Sequence, residues 1–297
     1  MELIAPANGI ELAYESFGDP ADPTMLLIMG LGVQMLGWDV ELCELLAGRG
    51  FSVVRFDNRD VGRSTKIEGG PRPDVMAVAM GDASSASYTL DEMAEDCAGL
   101  LDHLGVEAAH VVGASQGGMI GQTLAIRHPR RVLSLASIMS STGDRAVGQP
   151  HPEAMPALLT TPPADREGYA EQVVLAFRAI GSPGFETDEE RLRERARASF
   201  DRGYYPEGTA RQLVAILASG DRTEALRRLD VPTVVIHGAD DALIDVSGGR
   251  ATAAAIPGAE LELIEGMGHD LPRELWPRFV DLIVANAERA RSLDSIS

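Results

Sequence analysis

Ala-His-Val-Val-Gly-Ala-Ser-Gln-Gly-Gly-Met, residues 109–119, is the stretch whose reading decides the fold. Gly113-Ala114-Ser115-Gln116-Gly117 satisfies G-x-S-x-G. A β-branched pair, Val111-Val112, precedes it, and a segment with helical character, 117–128, follows. A serine on so sharp a strand-to-helix turn takes a strained backbone conformation and holds its hydroxyl clear of the sheet. Small residues two before and two after are needed because the strand and helix backbones pass close together. The helix N-terminus behind the serine offers free N–H groups and a positive dipole end, which favour a developing oxyanion. Ser115 is therefore the candidate nucleophile.

A nucleophilic serine needs a base, and the base needs an orienting partner. The chain has six histidines. His103 and His128 close helix-like segments, and His110 and His237 lie inside strand-like runs. His151 sits in a proline-rich loop. His269 differs: it stands in Glu265-Gly266-Met267-Gly268-His269-Asp270, just past the strand-like 259–264. Two glycines there predict a flexible loop at a strand end. The acid is expected between Ser115 and His269, also after a strand. Val231-Pro232-Thr233-Val234-Val235-Ile236-His237-Gly238 reads as a buried strand, and Ala239-Asp240-Asp241 follows it. A carboxylate there can accept the imidazole N–H and fix its tautomer. Either aspartate meets that requirement, leaving the other as a loop or helix-capping residue.

An acyl-transfer site also needs donors for the oxyanion. One falls on the backbone N–H after the nucleophile, that of Gln116. The second is expected after an early strand. The apolar run 24–29 leads into Gly30-Leu31-Gly32, where glycines let the backbone turn an N–H inward, so Leu31 N–H is the natural candidate.

These pieces together resemble the α/β-hydrolase fold superfamily along nearly the whole chain. The residues that carry the likeness are Leu27-Ile28-Met29-Gly30-Leu31-Gly32, Phe56-Asp57-Asn58-Arg59-Asp60-Val61-Gly62-Arg63-Ser64, Val112 through Gly118, His237 through Asp241, and Gly266-Met267-Gly268-His269. The order Ser, Asp, His is that of α/β-hydrolases. Within the superfamily the chain is similar to the aclacinomycin methylesterase-like group. Met29-Gly30 in place of the usual His-Gly, Leu36-Gly37-Trp38-Asp39 and the Gly-Met-Gly-His loop carry this closer likeness. The resemblance implies Asp241 rather than Asp240 as the acid, because the family's acid stands three residues after the strand-end glycine. It implies Leu31 and Gln116 as oxyanion donors. One departure is Gln116 itself, where the group often has Met; its side chain is expected to make the pocket floor more polar.

Composition predicts one compact intracellular enzyme. The chain has 297 residues and is 45% hydrophobic, ordinary for a globular protein. A formal net charge of −19 argues against nucleic acid and anionic membrane as partners, since phosphate binding needs a Lys/Arg surplus. The opening Met1-Glu2-Leu3-Ile4-Ala5-Pro6 lacks a basic region and a long apolar core, so no signal peptide is expected and a cytoplasmic location is. No apolar run approaches the ~18 residues of a membrane span. Cys43 and Cys97 are expected as free, packed thiols. No Cys/His cluster has metal spacing and no nucleotide-binding glycine motif is present, so neither metal nor cofactor is expected.

Strands are expected at 11–17 and 25–29, as a hairpin arm and a central strand turned by Gly18-Asp19-Pro20, and then at 51–57, just before Ser115, and at 132–139, 231–238 and 259–264. Helices alternate with them, including about 38–47 and 90–104. Such alternation implies a mostly parallel twisted sheet flanked by helices, with its ligand site at the carboxyl ends of the strands. Residues 141–222 break the alternation. They hold Pro150, Pro152, Pro156, Pro162, Pro163, Pro183 and Pro206, and helical patterns near 166–179, 188–201 and 209–219. This segment is expected to be an inserted helical cap, or lid, on a core formed by 1–140 and 223–297. Its charge run Glu189–Arg195 reads as a solvated helix face. Asp57 and Arg59 are expected to be structural, and the tail from Ala290 to be frayed.

The expected activity is hydrolysis of a carboxylic ester, with Ser115 as nucleophile, His269 as base and Asp241 as orienting acid. Haloalkane and epoxide chemistry on this fold would want an aspartate nucleophile. A C–C bond hydrolase, thioesterase or lipase would use the same three residues, and a small-molecule receptor on a hydrolase scaffold is the alternative of another class. The expected partner is a small, apolar ester. Met29, Trp38, Met139, Met267 and Leu271, all beside strand ends, are expected to line its pocket. Oligomeric state is left open.

Overall fold

The computed structural model describes residues 1–294. Eight strands form one sheet: β1 (Leu3–Ala7), β2 (Ile10–Phe17), β3 (Thr24–Ile28), β4 (Ser52–Phe56), β5 (Ala109–Ala114), β6 (Val132–Ile138), β7 (Thr233–Gly238) and β8 (Glu260–Ile264). Their order across the sheet is β1-β2-β4-β3-β5-β6-β7-β8. Strands β3 to β8 run parallel, and at one edge β2 is antiparallel to both its neighbours, β1 and β4. Every residue of β3, β4, β5 and β7 is buried. That burial on both faces explains why they read as unbroken apolar runs rather than alternating ones.

Two apolar layers cover the sheet. One packs helices Val40–Ala47 and Trp276–Asp294 with Leu42, Leu46, Trp276 and Phe279. The other packs helices Leu90–His103 and Gln116–Arg127 with Leu90, Leu100, Ile120 and Leu124. The first helix starts where Asp39 accepts the Glu41 N–H and stops at Gly48. Thr89 and Glu92 form a capping box that starts the second-layer helix at Leu90. Cys43 and Cys97 are buried and unlinked, and burial pushes the Cys43 thiol up to about 12 and the Cys97 thiol up as well. Neither is a reactive thiolate.

Two sequence expectations change. Strand β2 does not pair with β3; its neighbours are β1 and β4, and β4 takes the place between β2 and β3. The hairpin at this edge is β1–β2, turned by Asn8-Gly9 with φ of 49° and 78°. Strand β1 escapes pattern reading because its inward residues are the small Ala5 and Ala7, while Leu3 and Ile4 face solvent. At the other end the backbone stays helical from Ala290 to Asp294. The rest of the tail expected to fray lies outside the described residues.

The chain leaves β3 toward β4 and leaves β5 toward β6, in opposite directions across the sheet. A crevice opens at the carboxyl ends of two such neighbours, the usual place for a ligand in an open α/β sheet. Ser115 follows β5, and Gly30-Leu31-Gly32 follow β3. Between β6 and β7 the described residues hold helices Met155–Leu159, Arg166–Ile180, Glu189–Gly203, Pro206–Ser219 and Thr223–Leu226 and no strand.

Candidate active site

Ser115 has φ 56° and ψ −121°, a conformation of the kind that costs a non-glycine residue roughly 1–3 kcal/mol. Packing around the turn imposes it. A Cβ on Gly113 would lie 2.1 Å from the Gly117 carbonyl oxygen, and one on Gly117 would lie 2.0 Å from that of Ile28. The Ser115 N–H donates to the Ile138 carbonyl at 2.8 Å, and its own carbonyl accepts the Gly118 N–H at 2.9 Å. The turn is thus pinned between β6 and the following helix.

His269 Nε2 stands 3.0 Å from Ser115 Oγ, and His269 Nδ1 stands 2.7 Å from Asp241 Oδ2. The other Asp241 oxygen, Oδ1, accepts the N–H groups of Leu243 and Ile244, each at 2.9 Å. Those bonds hold the carboxylate with one oxygen aimed at the imidazole. Asp240 points elsewhere: exposed, it accepts the Gly266 N–H at 2.8 Å and ties the turn that leads to His269. The geometry therefore separates the two aspartates. The glycines before His269 serve close approach rather than flexibility. A Cβ on Gly268 would lie 2.3 Å from the Gly181 carbonyl oxygen, and Gly184 and Gly266 meet backbone to backbone. The Gly268 N–H donates to Ser182 Oγ at 2.9 Å, and the His269 N–H donates to the Ile180 carbonyl at 2.7 Å.

Gly30 lies against the nucleophile, since a Cβ there would be 3.1 Å from Ser115 Cβ. Among the described residues, the N–H groups of Leu31 and Gln116 donate to no protein acceptor. Gln116 is among the residues that line the cavity beside Ser115. It is fully buried, and its Nε2 donates to the Gln212 carbonyl at 3.4 Å and contacts Met93 Sδ at 3.7 Å.

Above these groups lies a cavity of about 800 Å³. Ser115, His269, Met29, Leu31, Met139 and Leu271 line it. Trp38 and Met267, expected in the pocket, do not. Trp38 is 1% exposed and packs in the core layer with Leu42, and Met267 is fully buried in the same layer, its loop held down by the glycines on either side. The opposite wall comes from the helices between β6 and β7. It includes Tyr169, Phe200 and Tyr204, whose rings form a cluster with centroids 4.9–5.8 Å apart.

Asp57 and Arg59 have structural partners. Asp57 accepts the Met35 and Arg63 N–H groups and pairs with Arg202 at 2.9 Å. Arg59 grips Asp96 through two bonds of 2.6 Å. Three residues near the site gave no sequence signal. Gln212 accepts the Gly32 N–H, and Asp270 accepts the Ser182 hydroxyl. His237 is buried, its Nε2 2.8 Å from the Ile244 carbonyl and 3.5 Å from Asp241 Oδ2. Among the described residues no group of three His, Cys, Asp or Glu is placed to hold a metal ion, and no helix is long and apolar enough to cross a membrane.

The sequence pattern of the family described as alpha/beta hydrolase fold matches residues 23–272. The chain belongs to the α/β-hydrolase fold family. Rhodomycin D methylesterase DauP of Streptomyces sp. (strain C5) is 31% identical over 302 residues, covering 95% of this chain and 96% of the relative. Rhodomycin D methylesterase DnrP of Streptomyces peucetius matches to the same extent. These relatives agree with the methylesterase-like likeness carried by the strand-end loops. Among solved structures, the enol-lactonase from Burkholderia xenovorans LB400 superposes with a TM-score of 0.71 at 26% identity, over 96% of this chain and 99% of that one. A meta-cleavage product hydrolase from Pseudomonas fluorescens IP01 shares the fold, with a TM-score of 0.74 at 21% identity over 97% and 98%.

Proposed function

We propose that this α/β-hydrolase is a serine esterase that cleaves a carboxylic ester with a small alcohol part, of the methyl ester class. The observation that carries the reading is the continuous line of hydrogen bonds from Ser115 through His269 to Asp241, begun at a strained turn and opening into the cavity.

The chemistry follows from where the protons sit. With its proton on Nδ1, His269 donates to Asp241 and leaves Nε2 to accept the Ser115 proton. The Ser115 oxygen then attacks the ester carbonyl carbon, and the carbonyl oxygen gains the negative charge. The Leu31 and Gln116 N–H groups receive that oxyanion; each preorganised donor of this kind is worth about 10²–10³ in rate. Asp241 stabilises the imidazolium without taking its proton. His269 passes the proton to the departing alkoxide, releasing the alcohol and leaving an acyl group on Ser115. Water, deprotonated by His269, repeats the attack and frees the acid.

Residues 141–222 act as a cap that shapes the acid part of the pocket and excludes water. The Tyr169, Phe200 and Tyr204 cluster offers a flat aromatic wall. Apolar burial there contributes about 0.8 kcal/mol per methylene. The rhodomycin D methylesterases support the small alcohol part.

The test is a product-analysed screen of matched esters, thioesters, lactones and vinylogous diketones. Methyl esters of bulky polycyclic acids are expected to turn over faster than bulky-alcohol esters of small acids. Specificity for p-nitrophenyl esters is expected to rise from acetate to butyrate and to fall for long chains. Preference for large alcohols, or turnover confined to another substrate class, would reject the reading.

A further inference from the structure

Helix Glu189–Gly203 carries five arginines, at 191, 193, 195, 197 and 202. Four are neutralised by the protein itself. Arg191 pairs with Asp39 at 2.6 Å, Arg193 with Glu171 at 2.7 Å, Arg197 with Glu190 at 3.0 Å and Arg202 with Asp57 at 2.9 Å. Arg195 is the exception. Among the described residues its guanidinium makes no hydrogen bond and no ion pair, and its one directed contact is the Phe177 ring, 5.6 Å away. Arg195 and Phe177 both line the cavity that holds Ser115.

The acidic groups near Arg195 act on it only at a distance and none forms an ion pair with it. Asp39 is already bound by Arg191. Asp270, beside His269, accepts the Ser182 hydroxyl, and burial pushes its carboxyl above the usual range, weakening it as a counter-ion. The Tyr169 phenol is pushed up by burial and stays neutral. Arg191 adds a like charge. Burial lowers the Arg195 guanidinium as well, but arginine begins so high that it remains a cation. Arg195 is half-buried and lines the cavity, so its guanidinium, unpaired by the protein, is free to meet an anion there.

The guanidinium is a planar fork that meets a carboxylate or similar oxyanion through two parallel bonds. Phe177 covers one face and leaves the edges available. We propose that Arg195 is the binding site for an anionic oxygen group, a carboxylate or phenolate, on the acid part of the substrate. The natural ester is then a molecule with an aromatic body, a small esterified carboxyl at Ser115 and a second, ionised oxygen group that docks on Arg195. This deepens the esterase reading and rests on it for the word substrate; the anion site itself is tested without turnover.

The experiment has a binding arm and a turnover arm. In the first, calorimetry measures naphthalene carboxylate and the matching carboxamide on the wild-type protein, Arg195→Gln and Arg195→Lys. The wild type is expected to bind the carboxylate at least about tenfold more tightly than the carboxamide, as hydrogen bonds to a charged partner require. Arg195→Gln should abolish that ratio, and Arg195→Lys should keep part of it. Thermal unfolding without ligand should show Arg195→Gln about as stable as the wild type, because the half-buried guanidinium holds no hydrogen-bond or ion-pair partner in the protein. In the second arm, the kcat/KM ratio for methyl esters carrying a free carboxylate against their carboxamide analogues should collapse in Arg195→Gln, mainly through KM. Equal binding of carboxylate and carboxamide by the wild type would overturn the proposal. So would a ratio that survives in Arg195→Gln, or a marked loss of stability in that variant, which would make the guanidinium structural. Carboxylate binding that depends on Arg195 without any ester turnover would uphold the anion site and reject the esterase reading.

Discussion

The side-chain oxygen of Gln212 accepts the Gly32 N–H at 2.8 Å. Its Nε2 donates to the Arg59 carbonyl at 2.7 Å, and its backbone carbonyl accepts from the Gln116 side chain at 3.4 Å. One buried residue of helix Pro206–Ser219 thus braces both segments whose N–H groups would hold the oxyanion. It also links the helical insertion to the end of β3.

Gln212→Ala should therefore impair chemistry more than binding. It leaves the Gly32 N–H and the Arg59 carbonyl without these partners and loosens the Leu31 donor. We expect kcat on a small ester to fall by about tenfold with little change in KM, less than deleting an oxyanion donor outright would cost. Gln212→Glu retains the acceptor for Gly32 and should recover part of the loss. Unchanged kcat in a folded Gln212→Ala protein would show that the brace does not reach the oxyanion site.

The two adjacent aspartates should differ sharply. Asp241→Asn keeps the shape but removes the charge that orients and stabilises the His269 imidazolium, and kcat should fall by about 10⁴. Asp240→Asn alters an exposed loop bond to Gly266 and should cost far less. Steady-state kinetics on one activated ester ranks them. Equal losses, or the reverse order, would move the acid role to Asp240.

His237 should make stability depend on pH. Burial holds this ring below its ordinary value of 6.5, so the folded protein keeps it neutral while the unfolded chain takes up a proton. Between the two values the unfolded state binds more protons, so stability falls as pH drops below about 6.5. Denaturant unfolding at pH 7.5 and 5.5 should show a smaller loss in His237→Gln than in the wild type. An identical loss in both would assign the pH dependence to other groups.

Which parts of this site can be read from sequence depends on how local their causes are. Ser115, Asp241 and His269 lie far apart in the chain, but each follows a strand, buried for the first two and the edge strand β8 for His269, and each turn carries its own glycine or acid pattern. Gly113 is needed because its backbone meets that of Gly117 within a five-residue turn, and Gly117 because it lies against the Ile28 carbonyl of β3; both fall at a fixed spacing around Ser115, so the pair is visible in the chain. Met29, Met139 and Leu271 were readable as neighbours of strand ends that line the cavity. Trp38 and Met267 are equally close in sequence, yet their side chains turn into the core, a direction that periodicity does not encode there. Gln212 and Arg195 depend on how the helices after β6 fold back over the sheet. A glutamine or arginine on an amphipathic helix carries no local mark of the partner it meets, or lacks, across the cavity. Strand β1 was hidden because its inward positions are alanines.

The central claim is that Ser115 attacks the carbonyl carbon with His269 as its base. Mass spectrometry after treatment with a fluorophosphonate probes it most directly, because the reagent bonds only to an activated nucleophile and marks the atom. The account predicts a single adduct on the peptide that contains Ser115, absent in Ser115→Ala and strongly slowed in His269→Gln, with Ser115→Ala folded and its ester turnover reduced by several orders of magnitude. An adduct on another serine, or full turnover in Ser115→Ala, would contradict it.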